Sequence, residues 1–267
     1  MTQASQNIPA HTLFEFPLNE RFRTYLRMEA LYRRWQYFLQ KDDAQDHHSA
    51  LLVLFEIHEF AFRYDLKGDL LLDINRYKSA LNLLRHRPNL SEEKLTQTLM
   101  YLNDAQKQIE QSSKFGSTLS ENDWLLNVKT RIVVAGGICS FDVAFYYQWL
   151  QQPAHVRRMD LEMWMMNLMP MFEGLKLILL IVREAKKHKT CVTQDKAYQQ
   201  PLNGSRFEML QIELSDRSPY LPDISANKHV IWLRFAFPNF RSQPLHLRQE
   251  IDHAEITFEL NLCGMSS

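Results

Sequence analysis

The sequence predicts an α+β protein: a mainly helical N-terminal domain, residues 1–188, packed with a smaller antiparallel β domain, residues 189–267. Three observations carry this. Apolar residues recur at helical spacing up to about residue 187, they alternate singly after that, and turn-forming pairs separate the alternating runs.

Residues 18–40 set Tyr25, Met28, Leu31, Tyr32, Trp35 and Leu39 on one side of a helix, which is the core-facing side. Helical patterns follow at 48–64, 68–86, 91–112, 121–134, 141–151 and 155–187, with Ser91 ahead of Glu93 and Lys94 as a candidate N-cap. Pro88, Pro153 and Pro170 mark breaks or kinks. The strongest strand signal covers 228–237, where His229, Ile231, Leu233, Phe235 and Phe237 share a face. Residues 252–262 alternate too, placing Ala254, Ile256, Phe258, Leu260 and Leu262 together, while 206–215 groups Leu210, Ile212 and Leu214 and 190–199 gives a weaker fourth pattern. Asn203-Gly204 and Ser218-Pro219 supply turns between them. Residues 12–16 are short and β-compatible, and are expected to return to the C-terminal sheet.

Composition bounds the function. At 267 residues with 45% hydrophobic side chains the chain can bury a sizeable core, and 7 glycines with 23% charged residues fit neither a disordered nor a low-complexity class. Lys+Arg and Asp+Glu are both 31, and no terminal charge block stands out, so no global field draws the chain to nucleic acid or to an anionic membrane. Cys139, Cys191 and Cys263 are odd in number and widely spaced, which predicts free thiols and a cytoplasmic location. The N-terminus lacks the pattern of a secretory signal, and the longest apolar stretch, around residues 175–182, is broken by Lys176 and falls short of the ~20 residues a bilayer needs, so no membrane insertion is expected.

Signatures of chemistry are largely missing. No phosphate-cradling glycine motif and no G-x-S-x-G occurs, and His58-Glu59 is followed by Phe62 where a zinc-binding helix needs a second histidine. No metal and no cofactor is predicted. The sharpest enzymatic alternative is a nucleophile at Cys139, in Gly136-Gly137-Ile138-Cys139-Ser140-Phe141-Asp142, if the thiol enters a helix N-terminus. The plainer account has the glycines forming a turn and Ser140 or Asp142 capping the next helix, and it is preferred. Met159, Met163, Met165, Met166, Met169 and Met171 crowd around Trp164, as core filling or as an adaptable partner surface.

Two basic faces remain. On the first helix Arg23, Arg27 and Arg34 lie within about 40° of one another, either as a binding row at a groove edge or as a solvated face paired with residues such as Glu20. Opposite the core face of the 228–237 strand stand Lys228, Val230, Trp232, Arg234 and Ala236. A Trp between cations suits an acidic peptide, and stacking of single-stranded nucleic acid is the alternative.

The chain also resembles the ZapD family, the Z-ring-associated cell division proteins. The resemblance rests on Leu13-Phe14-Glu15 with Pro17-Leu18-Asn19-Glu20, Arg23-Thr24, Leu26-Arg27 and Glu29, then on Gly136-Gly137, Cys139-Ser140-Phe141-Asp142 and Trp149-Leu150. It continues in Tyr220-Leu221-Pro222, Ile224-Ser225, Lys228 and Arg234-Phe235. It implies a non-enzymatic homodimer whose partner is the tubulin-like GTPase FtsZ, the acidic FtsZ C-terminal tail being held in a basic groove between the domains. Arg27, Lys228 and Arg234 match basic positions of that groove, with Trp232, Arg23 and Arg131 as further expected contacts, although Asp123 and Val230 stand where some relatives are basic. Cross-linking of filaments at the mid-cell division site, with slower FtsZ GTP turnover, is the expected outcome.

Overall fold

The computed structural model describes residues 11–85, 91–134, 136, 138–215, 218–237 and 255–264. The expected positions Pro88, Gly137 and Ala254 lie outside them.

The chain is α+β. Strand β1 (His11–Pro17) precedes nine helices: α1 (Glu20–Leu39), α2 (Ala44–Arg63), α3 (Leu66–Leu83), α4 (Glu92–Gln111), α5 (Ser117–Ser120), α6 (Asp123–Ile132), α7 (Ala144–Leu150), α8 (Ala154–Met165) and α9 (Met169–Glu184), counted among the described residues. Strands β2 (Lys186–Thr193), β3 (Ala197–Pro201), β4 (Met209–Ser215), β5 (Leu221–Ala226), β6 (Val230–Ala236) and β7 (Ile256–Cys263) follow. Contacts divide the chain into two compact units. One is Thr24–Leu179, and the other combines the residues up to Arg23 with those from Leu180 onward.

The helical unit is built on side chains spaced to face inward. Tyr25 and Met28 of α1, Leu51, Leu54 and Ile57 of α2, and Leu70 and Ile74 of α3 are all fully buried, each worth roughly 1.5–3 kcal/mol over exposure for the aliphatic members. Short polar side chains start the helices: Asp43 accepts from Gln45 N ahead of α2, Ser91 from Lys94 N ahead of α4, and Asn122 from Leu125 N ahead of α6. The run expected as one helix over 155–187 is broken by a 3-10 turn, Met166–Leu168, just before Pro170, and it stops at Glu184 because β2 begins at Lys186. The stretch Ala154–Glu184 is long and apolar enough by length and composition to cross a membrane, yet 56% of its most apolar window is buried in the fold. Of the methionines around Trp164, Met165 and Met171 are core residues, whereas Met159, Met163 and Met166 are exposed.

The other unit holds two antiparallel sheets, ordered β1-β4-β7-β2 and β3-β6-β5. Strand β1 pairs with β4, Phe14 opposite Ile212. The inner faces share one core, in which Leu210, Ile212, Leu233, Phe235, Phe258 and Leu260 are buried, and Phe235 meets Phe258 with ring centroids 4.9 Å apart. Asn203 and Gly204 both take positive φ, 49° and 80°, and Ser205 N donates to Leu202 O at 2.8 Å, which is the turn that the pair signalled, here carrying the chain from β3 in one sheet to β4 in the other. The weak 190–199 pattern is two strands, β2 and β3, that belong to different sheets.

Candidate peptide-binding site

In the helical unit, α1 and α2 flank a groove of about 530 Å³. Its rims carry Arg27, Arg34 and Arg63 with Glu56 and Glu59, over a floor of Leu31 and Phe60. The helix spacing explains this set. Residues 27, 31 and 34 share one face of α1, and 56, 59, 60 and 63 fall at i, i+3, i+4 and i+7 on α2. Most of these charges are already matched. Arg34 pairs with Glu56, Arg63 with Glu59 at 3.2 Å, and Lys129 of α6 comes within 4.0 Å of Glu59. Arg27 is exposed and makes no ion pair among the described residues. A carboxylate entering the groove therefore meets one guanidinium that has no competitor.

The second concavity, about 420 Å³, is the outer face of the three-stranded sheet. The alternation read from sequence holds within β6, where Ile231, Leu233 and Phe235 are buried and Trp232 and Arg234 point outward, but His229, expected on the core face, is exposed ahead of the strand. Register surrounds them. Trp232 lies between Gln199 of β3 and Ser225 of β5, and Arg234 between Ala197 and Asp223. Residues directly opposite in a ladder share a face, so Asp223 offsets part of the charge of Arg234. The indole, 37% exposed, supplies a flat apolar platform beside that cation.

Lys228 departs from expectation. The sequence puts it on the strand, but β6 begins at Val230 and Lys228 sits in the three-residue connection, Asn227 to His229, between β5 and β6. The Asn227 side chain explains the early start of the turn, since its Oδ1 accepts from His229 N at 2.8 Å and from Val230 N at 3.0 Å, while Asn227 N donates to Val230 O. Lys228 is exposed at the end of the hairpin rather than on the Trp232 face.

The remaining basic positions are tied up or set apart. Arg23 is held by Glu20 at 3.2 Å, the intrahelical pair foreseen, and its guanidinium lies 5.7 Å from the Phe16 ring centroid. Arg131 is exposed in the last turn of α6, where it complements the helix dipole, and it is not part of the groove lining.

Cys139 does not sit where a helix would activate it. Its chain segment is a turn, with Cys139 N donating to Gly136 O and Asp142 N to Cys139 O, and α7 starts only at Ala144 with Val143 at its N-cap and no side-chain cap. Neither Ser140 nor Asp142 caps α7, contrary to expectation, because the turn spends the intervening residues before the helix begins. All three cysteines are free thiols, and burial pushes Cys263 up to about 11. No group of three or more His, Cys, Asp or Glu is placed to hold a metal among the described residues.

Sequence reasoning placed Arg34 in the α1 row but missed Glu56, Glu59, Phe60 and Arg63. Their i, i+3, i+4, i+7 spacing was the available signal, a charged stripe interrupted by one aromatic.

A helical unit and a two-sheet unit, each with an open concavity where a cation adjoins apolar surface, define the class as an α+β protein. Residues 26–234 match the ZapD family, described as a cell division protein, and the chain belongs to that family. It is 39% identical over 252 residues to the cell division protein ZapD of Chromobacterium violaceum, covering 94% of this chain and 98% of that one. It is 37% identical over 254 residues to the ZapD of Cupriavidus taiwanensis and 35% over 253 to that of Janthinobacterium sp. (strain Marseille), each time covering 94% of this chain and 99% of the relative.

Proposed function

We propose that this chain is a non-enzymatic cell division factor that binds the acidic C-terminal tail of FtsZ, cross-links FtsZ filaments as a homodimer, and so promotes assembly of the division ring. The observation that carries this reading is Arg27, an exposed guanidinium without an ion pair among the described residues, on the rim of an apolar-floored groove. Membership of the ZapD family supports the setting in cell division.

In this reading Arg27 takes a tail carboxylate, Trp232 packs an apolar side chain, and Arg234 and Lys228 receive further acidic groups, with Arg23 and Arg131 adding long-range attraction. Each contact is weak. A dimer carries two copies of every surface, and many dimers along paired filaments act multivalently, so bundling needs no chemistry. Filaments held side by side exchange subunits more slowly, and FtsZ GTP turnover falls as a consequence. The protein works in the cytoplasm and reaches mid-cell through FtsZ, without a cofactor, nucleic acid or membrane insertion.

The test is co-sedimentation with FtsZ polymers. Arg27→Glu and Arg234→Glu are each expected to weaken binding roughly tenfold or more, about 1.4 kcal/mol, while sedimentation velocity shows the dimer intact. Wild-type levels of co-sedimentation in both variants would overturn the reading. Bundling is also expected to fade as salt rises, since exposed charges are screened beyond roughly 8 Å at physiological ionic strength. The exposed Trp232 beside Arg234 also suits base stacking, and a fluorescence titration with a single-stranded oligonucleotide distinguishes that alternative.

A further inference from the structure

The α1–α2 groove contains its own anions. Glu56 and Glu59 stand on its rim, and each occupies an arginine that an acidic ligand would otherwise use. These pairs join side chains that are each about half exposed or more, 46% and 54% for Arg34 and Glu56, so they are screened, weak and open to exchange. A ligand that brings only negative charge meets one unmatched cation, Arg27, and two carboxylates that repel it. A ligand that also brings a bulky apolar side chain covers Leu31 and Phe60 as well, and this gain does not depend on charge. The groove lining has three Arg against two Glu, too small an excess to hold an arbitrary polyanion.

We propose that Glu56 and Glu59 are specificity-determining residues: acting as internal competitors for Arg34 and Arg63, they make the groove select acidic peptides that carry a large apolar residue over peptides that are merely acidic. This rests on the reading that the groove takes an acidic tail, and it adds what the groove rejects. Selectivity here comes from built-in repulsion as much as from attraction.

The experiment uses the full chain and two fluorescein-labelled synthetic peptides, Asp-Asp-Leu-Asp-Asp and Asp-Asp-Gly-Asp-Asp, read by anisotropy at fixed salt. Wild type is expected to prefer the leucine peptide severalfold. The double variant Glu56→Gln, Glu59→Gln is expected to bind both peptides more tightly and to gain most for the glycine peptide, so that the preference collapses. The double variant Glu92→Gln, Glu93→Gln, which removes two negative charges from the exposed first turn of α4, controls for net charge and is expected to leave both affinities in place. Ala30→Glu puts a carboxylate at an exposed position on the groove wall and is expected to abolish binding of both peptides. Unchanged preference in the groove double variant, or an equal gain from Glu92→Gln with Glu93→Gln, overturns the proposal. The two readings fail separately. If an FtsZ tail peptide does not bind while the synthetic peptides behave as described, the FtsZ assignment falls and the selectivity stands. If the tail binds through Arg27 and the groove double variant changes nothing, the selectivity falls alone.

Discussion

Gly116 holds the entry to α5 in the left-handed region, φ 79°, and a Cβ there would lie 2.8 Å from Cδ2 of His58. The surroundings cannot easily give way. His58 Nε2 is 2.9 Å from Ser120 Oγ, and Gly116 N donates to Asn167 Oδ1 at 2.8 Å, which fixes the loop to the turn before α9. Gly116→Ala therefore adds left-handed strain and an overpacked contact together, and a loss on the order of 2 kcal/mol is expected in chemical denaturation. An unchanged midpoint would mean that the loop relaxes away from His58. Arg157 is the other residue whose surroundings define it: buried, it donates to His47 Nδ1 at 3.0 Å, to Leu150 O at 3.0 Å, to Asp42 O at 2.7 Å and to Gln152 O. With Arg158, which donates to Leu39 O at 3.0 Å, it ties α8 to the corner between α1 and α2, and so supports the helix pair that forms the groove.

At the scale of elements, α2 is the one that acid should loosen. It carries His47, His48 and His58, and burial lowers the pKa of all three, with the Arg157 guanidinium adding to the shift of His47 and Lys129 to that of His58. His47 Nδ1 accepts from Arg157, so a proton there removes a hydrogen bond and sets two cations face to face. The unfolded chain binds these protons more readily than the folded one. Stability is therefore complete above the ordinary histidine value of about 6.5, declines as pH falls from there through the lowered folded values, and levels off below them. Urea midpoints are expected to drop between about pH 7.5 and about pH 5, and His48→Gln, which keeps a polar partner for Tyr146 Oη now 2.6 Å from Nδ1, is expected to remove part of that drop. A midpoint flat over this range would show that other groups compensate. Elements of this length were legible in the sequence because periodicity is a local property: α1 to α4, β4, β6 and β7 all follow their apolar spacing. What stayed hidden depended on partners. Leu221–Ala226 is an edge strand with both faces partly open, so no alternation announced β5, and nothing local told that β2 and β3 belong to separate sheets.

For the whole molecule, the candidate surfaces were legible one wall at a time. Arg27 and Arg34 could be read from a helical wheel and Trp232 with Arg234 from an alternating strand, but that α2 faces α1, or that Asp223 lies opposite Arg234, is tertiary information. The two candidate surfaces lie on different compact units, one on each, and this bears on how bundling would arise. If a tail needs both surfaces of a protomer, one chain holds one filament and only a dimer can bridge two; if each surface takes its own tail, a single chain is already bivalent. Co-expression under two affinity tags gives a mixed dimer of one wild-type copy and one copy carrying Arg27→Glu with Arg234→Glu. On the reading proposed above, this dimer is expected to co-sediment with FtsZ at reduced affinity and to form no bundles in electron micrographs, because avidity vanishes when only one end can engage. Bundles as dense as those made by the wild-type dimer would instead assign a separate tail to each concavity, and would move the cross-linking function from the dimer into the single chain.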